Sequence, residues 1–259
     1  MLEVIDHALS ADGPAGAGAI RELRLARPPV NALNAELLAR IADAVSGAAT
    51  EAGVLITGQP GLFSAGLDVR GMLELDRPGI ENLFEQLWRA TRAIACSSVP
   101  VVFGLTGHSP AGGTVLAING DYRVMALGDF RLGLNEVQVG LIPGPPICHV
   151  FQRLVGGHAG QLLTRGALVD PAAALRVGLV DELCDVSQVV PRALTMAREI
   201  AALPRGPMLQ TRTMMRQPLV DLYGPAASAS RQREFTVMGA DMWFAPEAQS
   251  RLRALFTKR

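Results

Sequence analysis

The amino-acid sequence predicts an α/β fold with a helical C-terminal extension, because strand-like and helix-like segments interleave in the first half and helical segments dominate the second. Short apolar runs such as 53–57 and 100–105 are typical of buried strands. The 259 residues are enough to bury a large core, and no low-complexity linker interrupts the sequence. We therefore expect a core domain over residues 1–200 and a helical oligomerisation region over residues 201–259.

The N-terminal part of the sequence predicts a hairpin followed by a helix. Strands are expected at 2–9 and 19–26, around the turn-rich Ala11–Gly18, because the second strand alternates apolar and polar residues. Asn34 is a preferred N-cap residue, and four apolar side chains after it lie at helical spacing. A helix is therefore expected over 35–49.

The remaining elements follow from proline, glycine and apolar spacing. Pro78 predicts the start of a helix that ends near Ser97. The stretch Gly107–Gly113 predicts a loop that leads into a small-residue helix ending near Gly120. Further strands are expected at 122–126, at 130–132 and around 179–184. Further helices are expected at 146–155, 158–165, 171–176, 187–203, 207–216, 226–242 and 246–256.

The charge and hydropathy of the chain exclude several classes of partner. The 24 basic and 24 acidic residues cancel, so we expect neither a nucleic-acid partner nor an anionic membrane partner. Apolar stretches are interrupted well before the length of a membrane span. Met1–Ser10 contains no Arg or Lys, unlike a secretory or transit signal, and the last residues are not a peroxisomal tag. A cytoplasmic location is expected.

The cysteines, histidines and lysine restrict the chemistry. Cys96, Cys148 and Cys184 are widely spaced and are expected to be buried thiols. None of the four histidines has metal-ligand spacing to another histidine or to a cysteine, so no metal site is expected. Lys258 is the only lysine, which excludes a Walker A loop and argues against a Schiff-base mechanism.

Two glycine-containing loops are candidates for ligand binding, because each follows a buried strand and its small residues let a ligand approach the backbone. They are Gly61–Asp68 and Gly107–Gly113. If they lie side by side, one N–H from each can converge on a carbonyl oxygen, which is the geometry of an oxyanion hole. Ordinary tight turns are the alternative interpretation.

The second loop nearly matches the nucleophile elbow of serine hydrolases through Gly107–Ala111. That elbow requires the N–H of the residue that follows the serine. Here this residue is Pro110, which has no N–H. Ser109 is therefore disfavoured as a nucleophile, and His108 and Ser109 are interpreted as loop or pocket-lining residues.

Glu136 is a candidate acid/base, because it lies in the otherwise apolar stretch Gly133–Gly140. A glutamate in such surroundings is either partnered or has a raised pKa. A carboxyl of raised pKa is suited to proton transfer near neutral pH. A plain surface glutamate is the alternative.

Several motifs in register make the sequence similar to the crotonase (enoyl-CoA hydratase/isomerase) superfamily over nearly its whole length. They are Arg27–Asn34, Phe63–Asp68 and Pro110–Gly113 followed by Asp121–Arg123. Within the superfamily the chain most resembles Δ3,Δ2-enoyl-CoA isomerases. The stretches that carry this closer resemblance are Gly133–Gln138, Val177–Asp181 and Met214–Arg216.

The resemblance implies a core of repeated ββα turns with two packed sheets, and trimers or dimers of trimers. It also implies an acyl-CoA thioester substrate with no separate cofactor, since coenzyme A is part of the substrate. The N–H groups of Leu67 and Gly112 would hold the thioester oxygen, and Arg27, Arg70 or a C-terminal arginine of a neighbouring subunit would meet the coenzyme A phosphates. The substrate-binding residues implied are Ser64, Ala65, Gly66, Leu67, Asp68, Gly112 and Arg27.

The number of acids distinguishes between reactions of the superfamily. Its hydratases place two glutamates on the attacking water, but here the first of these positions is Val115 and only Glu136 remains. One base suffices to take a proton from C2 of a 3-enoyl thioester and return it at C4. The resemblance therefore favours an isomerase of fatty-acid oxidation. Hydration, thioester hydrolysis and non-catalytic acyl-CoA binding are the alternatives.

The C-terminal part is unusually apolar for a surface, and this favours association of subunits through its helices. The residues concerned are Phe235, Met238, Met242, Trp243 and Phe244.

Overall fold

The computed structural model describes residues 1–9, 18–224 and 228–257. Its strands are β1 (Leu2–His7), β2 (Ile20–Leu25), β3 (Gly53–Thr57), β4 (Gly61–Leu62), β5 (Val101–Leu105), β6 (Gly107–Pro110), β7 (Tyr122–Ala126), β8 (Leu132–Gly133) and β9 (Glu182–Cys184). Its α-helices are α1 (Ala35–Ser46), α2 (Val69–Met72), α3 (Arg77–Ala95), α4 (Gly112–Ala117), α5 (Pro145–Val155), α6 (Ala159–Arg165), α7 (Pro171–Arg176), α8 (Val189–Ala201), α9 (Arg205–Tyr223), α10 (Ser228–Phe244) and α11 (Pro246–Thr257). The 3₁₀ turns are Glu136–Val139, Gly156–His158 and Val186–Gln188.

The strands form two sheets. A six-stranded sheet has the order β1-β2-β3-β5-β7-β9, with β1 antiparallel to β2 and the other pairs parallel. A three-stranded sheet has the order β4-β6-β8 and is parallel. Successive strands thus alternate between the sheets, from β3 to β4, from β5 to β6 and from β7 to β8. This arrangement confirms the expected core of repeated ββα turns.

The large sheet is covered on both faces, which explains why its central strands are uninterrupted apolar runs. On one face Leu55, Val102 and Val124 pack with helix α8. On the other face neighbouring side chains such as Ile56 and Phe103 belong to the main core with α1 and α3. Adjacent residues of a strand point to opposite faces, so both cores are built from the same short segments.

The expected first helix and the hairpin are confirmed. The Asn34 side chain accepts a hydrogen bond from the N–H of Leu37 at 2.9 Å and so begins α1. Strand β1 pairs with β2 from Leu2 opposite Leu25 to His7 opposite Ile20. The turn expected between them lies largely outside the described residues.

The expectation of a loop over Gly107–Gly113 was wrong. Residues Gly107–Pro110 form strand β6, which pairs with β4 on one side and β8 on the other. Its partner strands are two residues long each and come from distant parts of the sequence, so no local alternation of apolar residues marks them.

Helix α9 is longer than the expected 207–216, because it continues through Pro218 to Tyr223. Tertiary contacts outweigh the helix-breaking effect of this proline. Arg216 is buried and donates to the carbonyls of Ala95 and Asn119, while Leu219 and Tyr223 are buried in the main core. The strand expected around 179–184 is shorter than predicted and covers only Glu182–Cys184.

The apolar residues of the C-terminal helices find partners within the same chain, so the argument that they require another subunit was wrong. Phe235 and Trp243 are buried in the main core, where α10 packs along α3. Of the five residues, only Phe244 is exposed. The same hydrophobic core contains buried residues from both predicted parts, 1–200 and 201–259.

The three free cysteines were expected to be buried, but each of them is only half-buried.

Within the described ranges no helix is both long and apolar enough to cross a membrane.

Candidate active site

A cleft lies between the ends of the small sheet and the C-terminal helices. Its empty volume is about 1050 Å³, including its open mouth. The loop after β4 lines it with Ala65 and Leu67, and the start of α4 lines it with Gly112. The turn after β8 lines it with Asn135 and Glu136. The rest of its wall is contributed mainly by apolar residues of α3, α10, α11 and the segment 139–143.

The first loop is held by the segment that precedes α1. The buried Asn31 side chain donates to the carbonyl of Phe63 at 3.1 Å, and the Ser64 hydroxyl donates to the carbonyl of Asn31 at 2.8 Å. The two segments are also joined through their backbones: the N–H of Leu33 donates to the carbonyl of Gly66, and the N–H of Asp68 donates to the carbonyl of Leu33. These bonds use the carbonyl of Gly66 and the N–H of Asp68, whereas the Leu67 N–H donates to none of the described residues.

An ion pair closes the same loop. The Arg27 guanidinium donates to the carboxylate of Asp68 at 2.6 Å and to the carbonyl of Ala32 at 2.9 Å. The other oxygen of Asp68 accepts from the N–H of Gly71 and caps the short helix α2. The backbone before and after Leu67 is therefore fixed on both sides.

The start of α4, just after β6, approaches the first loop closely. A β-carbon built on Gly112 would lie 3.2 Å from the amide nitrogen of Leu67. Since a β-carbon lies about 2.5 Å from its own amide nitrogen, the nitrogens of Leu67 and Gly112 are less than about 6 Å apart. One oxygen atom can then lie within hydrogen-bond distance of both N–H groups. Gly66, with φ of +89°, permits this approach, because a β-carbon there would lie 3.3 Å from the Gly112 nitrogen.

Glu136 is positioned by strand β8, which pairs with β6. Pro110 of β6 is opposite Gly133 of β8, and the N–H of Ala111 donates to the carbonyl of Gly133 at 2.8 Å. The N–H of Gly133 in turn donates to the hydroxyl of Thr114 on α4 at 2.9 Å. The chain reaches Glu136 three residues later, so the acid and the Gly112 amide are held by one hydrogen-bonded unit.

The Glu136 carboxyl lies in apolar surroundings. Its Oε2 atom is enclosed and has no hydrogen-bond partner among the described residues. Burial raises the pKa of Glu136 to about 7, against a smaller opposite effect of its own backbone N–H. Burial and, secondly, the charge of Glu136 raise the pKa of the nearby Cys148 thiol. A carboxyl with a pKa near neutrality is able both to accept and to return a proton.

Among the described residues that line the cleft, Glu136 is the only one with an ionisable side chain. The position expected to carry a second glutamate in hydratases is Val115, which is buried on α4 and lines the same cleft. The arrangement therefore offers one acid/base and at least two backbone donors.

The residues expected to bind substrate fall into two groups. Ala65, Leu67 and Gly112 line the cleft together with Glu136. Ser64, Gly66, Asp68 and Arg27 do not line it; their polar atoms are engaged in the bonds that hold the first loop.

Ser109 and His108 do not line the cleft either. Ser109 is fully buried in strand β6, so its hydroxyl is not displayed on a sharp turn as a nucleophile elbow requires. His108 is exposed; its Nδ1 accepts from the N–H of Arg131 at 3.2 Å, and its ring stacks edge-on with Phe130. Arg70 is exposed, with its guanidinium 5.2 Å from the ring centroid of Phe256 on α11.

Two walls of the cleft were missed from the sequence. Helix α3 contributes Phe84 and Leu87, and helix α10 contributes Phe235, Met238 and Met242. Apolar residues three and four apart mark the inner face of each helix, but this spacing does not reveal which neighbour the face covers.

Comparison with known proteins gives a family match over most of the chain. The family model described as enoyl-CoA hydratase/isomerase matches residues 16–242. The mitochondrial enoyl-CoA delta isomerase 1 of Mus musculus is 32% identical over 219 residues, which are 82% of this chain and 75% of that protein. A probable enoyl-CoA hydratase of Mycobacterium avium (strain 104) is 30% identical over 199 residues, which are 75% of this chain and 77% of that protein.

A solved structure agrees with the fold. The crystal structure of human mitochondrial delta3-delta2-enoyl-CoA isomerase superimposes with a TM-score of 0.85 and 26% identity. The match covers 98% of this chain and 96% of the human chain.

Proposed function

The chain belongs to the enoyl-CoA hydratase/isomerase family, the crotonase superfamily, and we propose that it is an isomerase that converts 3-enoyl-CoA into 2-trans-enoyl-CoA. The observation that carries this proposal is the single ionisable side chain, Glu136, in the described lining of an otherwise apolar cleft. The family acts in fatty-acid metabolism, and an acyl-CoA thioester is the substrate consistent with it.

In the proposed mechanism the ionised Glu136 removes a proton from C2 of the bound thioester. Negative charge then develops on the thioester oxygen, which accepts hydrogen bonds from the N–H groups of Leu67 and Gly112. Because these bonds strengthen as the charge grows, they lower the barrier more than they stabilise the bound substrate. The protonated Glu136 returns its proton at C4, and the double bond moves into conjugation with the thioester.

Hydration would require one carboxyl to activate water while another protonates the α-carbon. The side chain at the second position is Val115, which can neither hold nor activate water. Asn135 is the only other polar side chain in the described lining, so a water molecule beside Glu136 would have few polar partners. These features support isomerisation over hydration and over hydrolysis of the thioester. Non-catalytic binding is disfavoured because Glu136, an acid whose pKa burial raises to about 7, lines the cleft.

The proposal is tested by replacing Glu136 with glutamine and measuring conversion of a 3-enoyl-CoA to the conjugated product. We expect Glu136→Gln to lower kcat at least roughly 10²-fold while acyl-CoA binding stays nearly unchanged. Glu74→Gln is the matched control, because Glu74 is exposed and does not line the cleft. An activity of Glu136→Gln within a few-fold of the Glu74→Gln control would refute the role of Glu136.

We further propose that the protein assembles as a homotrimer or a dimer of trimers, as the resemblance implies. Met214 and Met215 on α9 are each 64% exposed, which supports an interface on this helix. Sedimentation that shows only a monomer at micromolar concentration would contradict this. The cytoplasmic location expected from the sequence stays a prediction; the mouse relative is named as mitochondrial.

A further inference from the structure

The cleft is polar on one side and apolar on the other. Its polar side chains, Asn135 and Glu136, come from the turn after β8. Helices α3 and α10 contribute only apolar residues and a glycine to its lining, including Phe84, Leu87 and Met242. A ligand that fills the cleft must therefore end in an apolar group.

The path of such a ligand follows from the proposed function, on which this inference rests. With the thioester oxygen at the amides of Leu67 and Gly112, carbons C2 to C4 must lie beside Glu136. The carbons beyond C4 then have only the apolar side of the cleft to occupy. This places the end of the acyl chain on the apolar side, which α3 and α10 form together with α11 and the segment 139–143.

Phe84 is the largest side chain that α3 contributes to this region. It is 9% exposed and lines the cleft, whereas the neighbouring Leu83 is buried away from it. Its ring contacts Phe235 of α10 edge-on, with 6.1 Å between the ring centroids. Phe235 is itself held by Trp88, one turn further along α3, at a centroid distance of 5.6 Å.

A glycine on α10 fixes the position of this ring. A β-carbon on Gly239 would lie 2.8 Å from Cγ of Phe84 and 2.9 Å from both Cδ atoms, closer than atoms can pack. The ring therefore occupies the space that a side chain at position 239 would fill. With Gly239 against one face and Phe235 at its edge, the ring has little freedom to retreat when a longer ligand enters.

We propose that Phe84 limits the length of the acyl chain that the cleft accepts. The ring forms a rigid end to the apolar side, and Gly239 holds it there. When an acyl chain already reaches the ring, additional methylenes bury no further apolar surface in the cleft. Replacing the ring by a smaller side chain opens space for more carbons and shifts the preference of the protein to longer chains.

The test measures binding rather than catalysis, so that it does not depend on the isomerase reaction. Dissociation constants are determined by calorimetry for saturated butanoyl-, octanoyl-, dodecanoyl- and hexadecanoyl-CoA with wild type and Phe84→Leu. Phe151→Leu is the matched control, because Phe151 is buried on α5 and does not line the cleft. Thermal unfolding of each variant checks that the fold is retained. If Phe84→Leu does not fold, Phe84→Met, whose flexible unbranched side chain adapts to irregular gaps, replaces it.

For wild type and Phe151→Leu we expect affinity to rise with chain length up to one limit and then to level off or fall. For Phe84→Leu the limit moves to a longer chain, and each additional buried methylene tightens binding up to about fourfold. An unchanged length profile in a folded Phe84→Leu would overturn this inference and leave the proposed function standing. If wild type binds none of the four acyl-CoAs, the proposed function fails and the inference fails with it.

Discussion

The amide nitrogen of Leu67 lies 3.2 Å from the position that a β-carbon on Gly112 would take. The two residues are 45 positions apart in the sequence; Leu67 lies in the segment after β4, and Gly112 begins α4 just after β6, a neighbouring strand of the same small sheet. Because Gly112 has no side chain, the space beside the two amides is available to a ligand atom. This juxtaposition is the geometric basis of the proposed oxyanion hole.

Gly112→Ala is expected to abolish most isomerase activity without unfolding the protein. Its methyl group would meet the Leu67 nitrogen at 3.2 Å and Cδ1 of Leu33 at 3.1 Å, contacts that are tight but tolerable after a small shift. The methyl would occupy the space of the thioester oxygen, so kcat/KM should fall at least roughly 10²-fold, as when one donor of an oxyanion hole is lost. Gly160→Ala is the control, since a β-carbon there meets nothing within 4 Å. Equal activity of the two variants would show that the amides do not bind the oxygen.

The pH dependence of kcat/KM is expected to show one ionisation near pH 7. Burial raises the pKa of Glu136 to about 7, and only the ionised form removes a proton from C2. Activity should therefore fall about tenfold for each unit below that pH and level off above it. A rate that stays constant down to the ordinary range of glutamate, near 4.5, would exclude this residue as the base.

Glu136→Gln is expected to stabilise the protein above neutral pH. The folded state keeps its proton up to about pH 7, whereas the unfolded chain loses it near 4.5. The free energy of unfolding therefore falls as the pH rises through this window, and the cost is fully present above it. Glutamine removes this cost, which is on the order of 3 kcal/mol. Urea unfolding of wild type and Glu136→Gln, at one pH below this window and one above it, measures the cost. If the free energies of unfolding of the two proteins differ by the same amount at both pH values, the raised pKa is contradicted.

Asp68→Asn is expected to separate the two roles of Asp68. Asparagine still caps α2 but loses the charge that binds Arg27, so stability should fall by about 1 kcal/mol. Because the loop carries the Leu67 amide, kcat/KM should fall roughly tenfold, since small displacements of catalytic groups are costly. Asp68→Ala loses the cap as well and should be less stable by about a further 1 kcal/mol. Wild-type kinetics in Asp68→Asn would show that the ion pair does not position the loop.

The elements with strong local signals were predictable from the sequence. Asn34 begins α1 as expected, and the buried strand at Gly53–Thr57 is the uninterrupted apolar run that was predicted. The small sheet was not predictable, because its strands are two to four residues long and are defined by pairing between distant segments. Helix α9 passes through Pro218 because Arg216 and Tyr223 anchor it to the core.

The site was predictable in part for the same reason. The two glycine-containing segments and Glu136 were singled out from the residue pattern, and the family resemblance implied Leu67 and Gly112 within those segments. All three residues line one cleft. The contribution of Phe84 and of helix α10 was not predictable, because an apolar helix face does not reveal what it covers. The apolar C-terminal residues were therefore assigned to a subunit interface, although several of them cover the cleft of their own chain.

The central claim is that one carboxyl moves a proton but does not activate water. Its most direct test is to supply the wild-type protein with a 2-trans-enoyl-CoA and with a 3-enoyl-CoA of equal chain length, and to follow both products in water. We expect the 3-enoyl-CoA to be converted to the conjugated isomer, with little 3-hydroxyacyl-CoA formed from either substrate. Formation of 3-hydroxyacyl-CoA at a rate comparable to isomerisation would contradict the single-acid account.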